Sequence, residues 1–382
     1  MERVVVVGAS LAGLRAAQAV RVAGHTGPVT VVGDEPHPPY TRPPLSKELL
    51  AGAQEHPDCA FPVDAVDAEW LLGTPATGLD RDARHVLLED GRTVPYDRLV
   101  IATGARARTW PGAPELPVLR DIDDALALRA AFERGPRVAI VGAGFIGCEV
   151  AATARKRGLE VTLIDIALQP LVPLGPELGE RCARMHREHG VDLRLGTGVT
   201  EIATDGVQLA DGTSVDADLV LVALGALPNT EWLAASGLAL DERGGVLCDA
   251  TLTSVSDPDV LAAGDLATWP HPLAGGAPVR VEHWTTAAEH GALAGRNAVA
   301  DPEDRKPHVA PPYFWSDQYD VKVQAVGFPA LGERIEVVEE DGPRLVAEAH
   351  DAAGRLVGAV TFSNAKKLIG YRRRLAVEVV AA

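Results

Sequence analysis

One pattern occurs twice in this chain and restricts its fold more than any other feature: an apolar strand, a glycine-rich turn, an amphipathic helix and a second apolar strand. The first copy runs from Arg3 through four valines to Gly8, Ser10 and Gly13, predicts a helix over 14–22, and returns as a strand over 29–35. The second runs from Val138 to Gly142, Gly144 and Gly147, continues as a helix to residue 157, and returns over 161–165. Each strand is a continuous β-branched run, the pattern of parallel strands covered by helices on both faces. The turn must bend tightly, admit a pyrophosphate to the backbone and seat its helix on the strand; small residues allow all three. Free N–H groups at the helix start favour phosphate, so no lysine is needed there.

Acids close both second strands: Asp34 and Glu35 in the first unit, Asp165 in the second, 18 positions after Gly147. A carboxylate at this place accepts hydrogen bonds from adenosine ribose hydroxyls, whereas a 2′-phosphate calls for a cation. Ile166, Ala167, Leu168 and Gln169 follow Asp165 without one, so NADH is expected and NADPH disfavoured. A lone glycine turn is also an ordinary helix–strand joint. Two, each with an acid at the right distance, point to two bound dinucleotides and electron transfer between them. Strands over 99–102 and 219–223 lead into Thr103-Gly104 and Leu224-Gly225 and are expected to deliver loops to the cofactor edge.

The chain has 382 residues, a formal charge of −17 and 47% hydrophobic residues, enough for more than one core. Such a charge repels phosphate backbones and anionic lipid, so neither nucleic acid nor membrane is expected as a partner. No apolar run approaches the roughly 18 residues of a membrane helix, and a cytoplasmic location is expected. Cys59, Cys148, Cys182 and Cys248 stand far apart without a C-x-x-C, so no disulfide framework, zinc knuckle or local redox dithiol is written here. Electron chemistry must then reside in bound cofactors. The eleven histidines show no metal-ligand spacing, and no metal site is expected; His283 and His290 read as surface or cofactor-edge groups. Pro/Gly-rich joints stand at 110–114 and 307–312. Beyond them, strands over 321–326, 334–338, 345–349 and 356–362 and a final helix over 364–374 suggest an antiparallel sheet with a packed helix.

The string Pro39-Tyr40-Thr41-Arg42-Pro43-Pro44-Leu45-Ser46-Lys47, the pair Gly264-Asp265, and the segments 281–291 and 312–318 around Trp284 and Trp315 carry a resemblance. In order and over essentially the whole chain, they resemble the FAD-dependent NADH:ferredoxin reductases of bacterial oxygenase systems, within the glutathione-reductase-like pyridine nucleotide-disulfide oxidoreductases. The resemblance implies an α/β protein of two Rossmann-like dinucleotide-binding domains plus a C-terminal α+β domain with an antiparallel sheet. FAD would occupy 1–111 with 234–311, NADH 112–233, and the last domain 312–382. It implies FAD contacts from Gly8, Ser10, Ala12, Gly13, Asp34, Glu35, Arg42, Lys47, Ala76, Thr103, Gly104, Asp265 and Trp284. NADH contacts would come from Gly142, Gly144, Phe145, Ile146, Gly147, Asp165 and Gly225.

Catalytic roles are implied for Lys47 beside the flavin N5 edge, for its partner Glu149, and for Trp315 bordering the path to an acceptor. An ammonium held by a carboxylate can respond to charge developing on a reduced flavin. Asp265 can equally be read as a helix N-cap. Disulfide reductases of this fold need a cysteine on the helix facing the flavin; the stretch 42–50 offers Ser46 and no thiol. The implied partner is a 2Fe-2S ferredoxin, or a similar iron–sulfur carrier, that feeds a monooxygenase or ring-hydroxylating dioxygenase. The enzyme would be a monomer or homodimer. A rubredoxin or other carrier as acceptor, and an NADH-sensing flavoprotein with mainly a binding role, stay open as alternatives. Lys366, Lys367 and Arg372 to Arg374 read either as a docking patch or as a solvated helix face paired with the acidic tail strands.

Overall fold

The two repeats form two separate parallel sheets, and a third, antiparallel sheet closes the chain. The computed structural model describes residues 2–113, 115–203 and 205–381. Pro114, the end of the first joint, lies outside them.

In the first sheet, Val4–Val7 lies between Val29–Val32 and Arg98–Ile101, with Glu69–Leu71 and Val260–Ala262 at the edges, all parallel. All four valines of the central strand are at most 2% exposed, which is why the run is apolar throughout instead of alternating. Its hydrogen bonds run to the next strand on one side and to a much later one on the other. At such a reversal of strand order a crevice opens outside the carboxyl ends, the usual seat of a dinucleotide. Gly8 stands in that crevice at φ +117°, where a Cβ would lie 2.1 Å from the carbonyl oxygen of Ala102. The second sheet repeats the arrangement: Val138–Val141 lies between Val161–Asp165 and Leu219–Val222, with Asp192–Leu195 beyond. Gly142 there has φ +114°, and its Cβ would lie 2.2 Å from the Ala223 oxygen.

The helices after the two turns are Leu11–Val22 and Phe145–Lys156. The first starts three residues earlier than the sequence predicts, because Gly13 belongs to the helix and not to the turn. The strand before Asp34 ends at Val32, and Gly33 to Glu35 already turn away.

The tail sheet runs Tyr313–Gln318, Val321–Gly327, Leu356–Phe362, Arg344–His350, Arg334–Asp341, all antiparallel. Sequence pattern assigns no strand to the first of these, since its buried positions are Ser316 and Gln318 and hydrophobic periodicity fails where the inward face is polar. Val323, Ala325, Leu345, Ala347, Val360 and Phe362 share a core with Cys148, Val150 and Cys182, so this sheet lies on the helices of the second unit. The last helix, Ala365–Ala381, extends past the predicted end at 374 and buries Leu368 and Leu375 against Val326, Leu356 and Ala359.

Candidate active site

Both glycine turns open onto one cleft of about 560 Å³. From the first unit it is lined by Gly8, Ser10, Ala12, Asp34, Glu35, Arg42, Lys47, Thr103, Gly104, Asp265 and Trp284. The second unit contributes Gly144, Phe145, Ile146, Glu149 and Gly225, and the tail contributes Phe314 and Trp315. Gly13 and Gly147 stand behind the lining, where a Cβ would come within 1.8 Å of the Gly8 oxygen and 1.9 Å of the Gly142 oxygen, so they set the helix–strand spacing. Gly142 and Asp165 are likewise outside the lining. Asp165 accepts from the backbone N–H groups of Ala143 (2.6 Å) and Ala167 (2.8 Å) and so ties the second turn. Ala76 lies in Ala76–Asp80, a strand of another small antiparallel sheet, and the structure does not bring it to the cleft.

Glu35 is held by side chains of the loop that follows it, and Asp265 by one 145 positions away. The Glu35 carboxylate accepts from the Tyr40 hydroxyl and the Arg42 guanidinium. Arg42 also donates to the Tyr40 oxygen (3.1 Å) and to the carbonyl of Arg120 (2.7 Å), and the Ile122 N–H donates to the Tyr40 oxygen. Burial pushes the Tyr40 phenol far up; Arg42 opposes this and Glu35 adds to it, so Tyr40 is a neutral donor. Burial works against the Arg42 charge, but Tyr40 and Glu35 outweigh it and hold the group above its usual value. Asp265 pairs with Arg120 at 2.7 Å, and Arg280 donates to its carbonyl. The turn at Asp265 leads into the strand Ala267–Pro270, so the N-cap reading fails: no helix begins there. Sequence reasoning misses Tyr40 and Arg120 as cleft residues. The partner of Arg120 is 145 positions away, and only a local signal, its place just before the N-cap Asp121 of the helix Ile122–Phe132, marks it.

Lys47 and Glu149 meet where the two units join. The ammonium lies 2.6 Å from the carboxylate, and the side chains are only 12% and 5% exposed. Lys47 also donates to the Pro43 carbonyl (2.9 Å) and the Ser46 oxygen (3.2 Å). Glu149 further accepts from the hydroxyls of Ser46 and Ser316. The Lys47 ammonium finds an acceptor for each of its three protons, and three donors converge on the two Glu149 oxygens, so the burial of the pair is offset by hydrogen bonds on both sides.

Trp315 stacks near Tyr313 (6.0 Å, 26°) and meets Trp284 edge-on (6.0 Å, 70°). The Trp284 indole donates to Thr41. His283 lines the cleft; burial brings it down to about 4, with Asp265 opposing, and its Nδ1 has no partner among the described residues. His290 is not at a cofactor edge or a surface: it is fully buried against Trp269 and His308, since its helix face turns into the core. The four cysteines are buried and none lines the cleft. Most of the basic cluster of the last helix is paired: Arg372 with Glu289, Arg374 with Glu348 and Lys367 with Glu339, so the solvated, acid-paired reading describes it better than a free docking patch.

This lining fits two dinucleotides. Two helix starts face the cleft, Asp34 and Glu35 stand in it beyond the first unit's second strand, and His283 offers a nitrogen without a partner among the described residues. Gly144 presents bare backbone, since a Cβ there would meet no protein atom within 4 Å. Fold and cleft together define an oxidoreductase whose electrons travel through bound carriers, not through a protein thiol.

The chain belongs to the pyridine nucleotide-disulphide oxidoreductase family, whose pattern matches residues 2–291; residues 313–381 match the reductase C-terminal family. It is 37% identical over 382 residues to the ferredoxin–NAD(+) reductase component of the p-cumate 2,3-dioxygenase system of Pseudomonas putida, covering 98% of this chain and 93% of that protein. It is 38% identical to the corresponding component of the anthranilate 1,2-dioxygenase system of Burkholderia cepacia, covering 97% and 93%. Among solved structures, the covalent putidaredoxin reductase–putidaredoxin complex superposes with a TM-score of 0.92 at 33% identity, covering 99% of this chain and 93% of that one. The protein is an NADH-dependent, FAD-containing oxidoreductase. Among the described residues no helix is long and apolar enough to cross a membrane.

Proposed function

We propose that this enzyme passes electrons from NADH, through FAD held on the first unit, to a 2Fe-2S ferredoxin that feeds a monooxygenase or ring-hydroxylating dioxygenase. The observation that carries the reading is the buried Lys47–Glu149 pair at the junction of two dinucleotide turns, in a cleft without a thiol. Bound FAD supplies the conversion of a two-electron hydride donor into two one-electron transfers. The chain's own residues supply position and charge. Gly8, Ser10 and Gly13 with the start of Leu11–Val22 would seat one pyrophosphate, and Gly142, Gly144 and Gly147 with the start of Phe145–Lys156 the other. Glu35 and Arg42 would hold the adenosine end of FAD, with Asp34 at the rim and Thr103 and Gly104 lining the crevice. Asp265, fixed by Arg120, would receive the ribityl hydroxyls.

Lys47 would place a positive charge at the flavin edge, and Glu149, 2.6 Å from its ammonium, would keep it there. Phe145, Ile146 and Gly225 would border the nicotinamide, while Trp284 of the first unit and Trp315 of the tail line the cleft together. Alignment of the two rings, more than acid–base help, is what hydride transfer asks of the protein. The family pattern ends at 291 and the strand Val260–Ala262 joins the first sheet, which supports dividing the chain into 1–111 with 234–311, 112–233 and 312–382. We place the enzyme in the cytoplasm as a monomer or homodimer.

The test is the purified protein itself. It should be yellow, be bleached by NADH under anaerobic conditions, and turn over rapidly only when a 2Fe-2S ferredoxin is added. A preparation that cannot take up flavin, or one that reduces rubredoxin faster than any ferredoxin, overturns the reading.

A further inference from the structure

We infer that Tyr319, His186, Gln318 and Ser316 form a one-way string of hydrogen bonds that ends on Glu149 and fixes how Lys47 is presented to the cleft. The inference rests on the reading of that cleft as the flavin site.

The direction of the string follows from chemistry at its end. The Glu149 carboxylate, paired with Lys47, only accepts, so the single Ser316 proton is committed to its Oε1 at 2.8 Å. The Ser316 oxygen must then accept, and Gln318 Nε2 donates to it at 3.1 Å. That turns the amide oxygen of Gln318 to His186 Nε2, 3.0 Å away, which has to carry the proton. Burial lowers His186 to about 4, although its bond to Gln318 opposes this, so the ring is neutral and Nδ1 is an acceptor. It receives the Tyr319 hydroxyl at 3.0 Å. Every donor points toward Glu149, an arrangement in which each bond polarises the next. Ser316, Gln318 and His186 are all 0% exposed, and an apolar core would be cheaper at these positions if packing were their only task.

Tyr319 gives a second, independent reason. It occupies the turn between Tyr313–Gln318 and Val321–Gly327 at φ +57°, a left-handed conformation that Asn or Gly adopts at far lower cost. Its ring is 8% exposed and stacks on His189 at 3.6 Å and 13°. A bulky residue is thus kept in an unfavourable conformation with its hydroxyl at the head of the string. The string joins the tail strand, the helix Pro176–Glu188 and the helix Phe145–Lys156, and its far end anchors the carboxylate that grips Lys47.

With Ser316→Ala, Oε1 of Glu149 loses its donor and the carboxylate draws harder on the ammonium, withdrawing positive charge from the flavin edge. In the holoenzyme, the reduced-to-oxidised ratio of bound FAD at a fixed NADH/NAD+ poise should fall about tenfold for Ser316→Ala, about threefold for Gln318→Met and less than about twofold for Tyr319→Phe. Ser316→Thr, which keeps the hydroxyl, should restore the ratio, and KM for NADH should stay unchanged while kcat falls. Independently of flavin, 15N NMR of the unmutated protein should show His186 protonated at Nε2. A proton on Nδ1 instead, or variants that lower the melting temperature while leaving the flavin ratio at the unmutated value, overturns the inference. A protein with the expected tautomer that binds no flavin would instead overturn the reading of the cleft.

Discussion

In the first dinucleotide unit the acid after the second strand, Glu35, is gripped by the side chains of Tyr40 and Arg42 from a loop, and Arg120 comes from beyond the next sheet to hold Asp265. In the second unit the corresponding Asp165 spends both oxygens on the backbone of its own turn, and the side chains beyond it, Ile166 and Leu168, are 78% and 81% exposed. The backbones are near copies, with Gly8 and Gly142 at φ +117° and +114°. What differs is how much of the chain is committed around each turn. A site assembled from distant segments suits a resident group, and a site made mostly of one turn and an exposed shelf suits a group that arrives and leaves. On the proposed assignment of the two sites, the same fold would serve retention in one copy and exchange in the other.

The sharpest way to break this comparison is to damage each turn in the same manner. Gly8→Ala and Gly142→Ala would each drive a Cβ to within 2.1–2.2 Å of a carbonyl oxygen at a left-handed φ, a strain of roughly 2–4 kcal/mol. The expected outcomes are opposite in colour. Gly8→Ala should purify without flavin, whereas Gly142→Ala should remain yellow and resist bleaching by NADH. Flavin absorbance and anaerobic titration decide it; loss of flavin from both variants would show that the two turns do not divide the work.

The repeat was legible in sequence because helix starts, glycines and continuous β-branched strands are local signals. So was the meeting of Lys47 with Glu149, but only through the resemblance, because nothing near Lys47 in the chain announces a partner 102 positions away. Residues that act through long-range bonds stay hidden: Tyr40 stands in the string that carries the resemblance but nothing there announces its bond to the Ile122 N–H, and Arg120 carries no pattern of its own. The strand Tyr313–Gln318 was invisible to periodicity for the same reason that it matters, since its inward face carries Ser316 and Gln318. Asp165 carries a further role that spacing does not announce. Its spacing is that of a ribose acid, and its geometry shows that it also braces the turn.

Acidity should test the second-unit and first-unit sides of the molecule together. Burial lowers both His186 and His283 to about 4, whereas an unfolded histidine titrates near 6.5. The unfolded chain therefore takes up protons first as pH falls. The stability these neutral rings contribute is complete above about 6.5 and is lost progressively down to about 4, on the order of 2 kcal/mol per ring by pH 5. His271 and His290 are buried and held low in the same way, so urea midpoints at pH 7 and pH 5 measure the sum over all four rings, and His283→Asn should remove only its own share. A midpoint that does not move between the two pH values would contradict the burial of these rings.

A gentler change separates the turns by what fills them. Gly144 has an ordinary φ of −75° and empty space where a Cβ would go, so Gly144→Ala should leave urea stability within about 0.5 kcal/mol and raise KM for NADH about tenfold. Ser10→Gly, at the matching position of the first turn, should alter neither flavin content nor reduction rate. An equal KM for Gly144→Ala and the unmutated enzyme would mean that no pyrophosphate comes close to that backbone.

The smallest expected effect concerns the shelf beyond Asp165. Asp165 already accepts one N–H on each oxygen, from Ala143 and Ala167, which leaves it fewer lone pairs for a ribose, and further discrimination against a 2′-phosphate comes from the absence of a cation along Ile166 to Gln169. Arg194 on the neighbouring strand is paired with Asp192 at 2.9 Å and does not supply one. Ile166→Arg places a guanidinium on an exposed position where a phosphate can meet it, and exposed pairs gain little, so kcat/KM for NADPH relative to NADH should rise only about fivefold. Asp165→Asn should do something different in kind: it keeps the acceptor oxygen but not the charge, weakening the turn along with the selectivity. If Ile166→Arg leaves the NADPH/NADH ratio where it was while Asp165→Asn raises it, the acid discriminates despite its backbone bonds, and the two units handle their riboses alike after all.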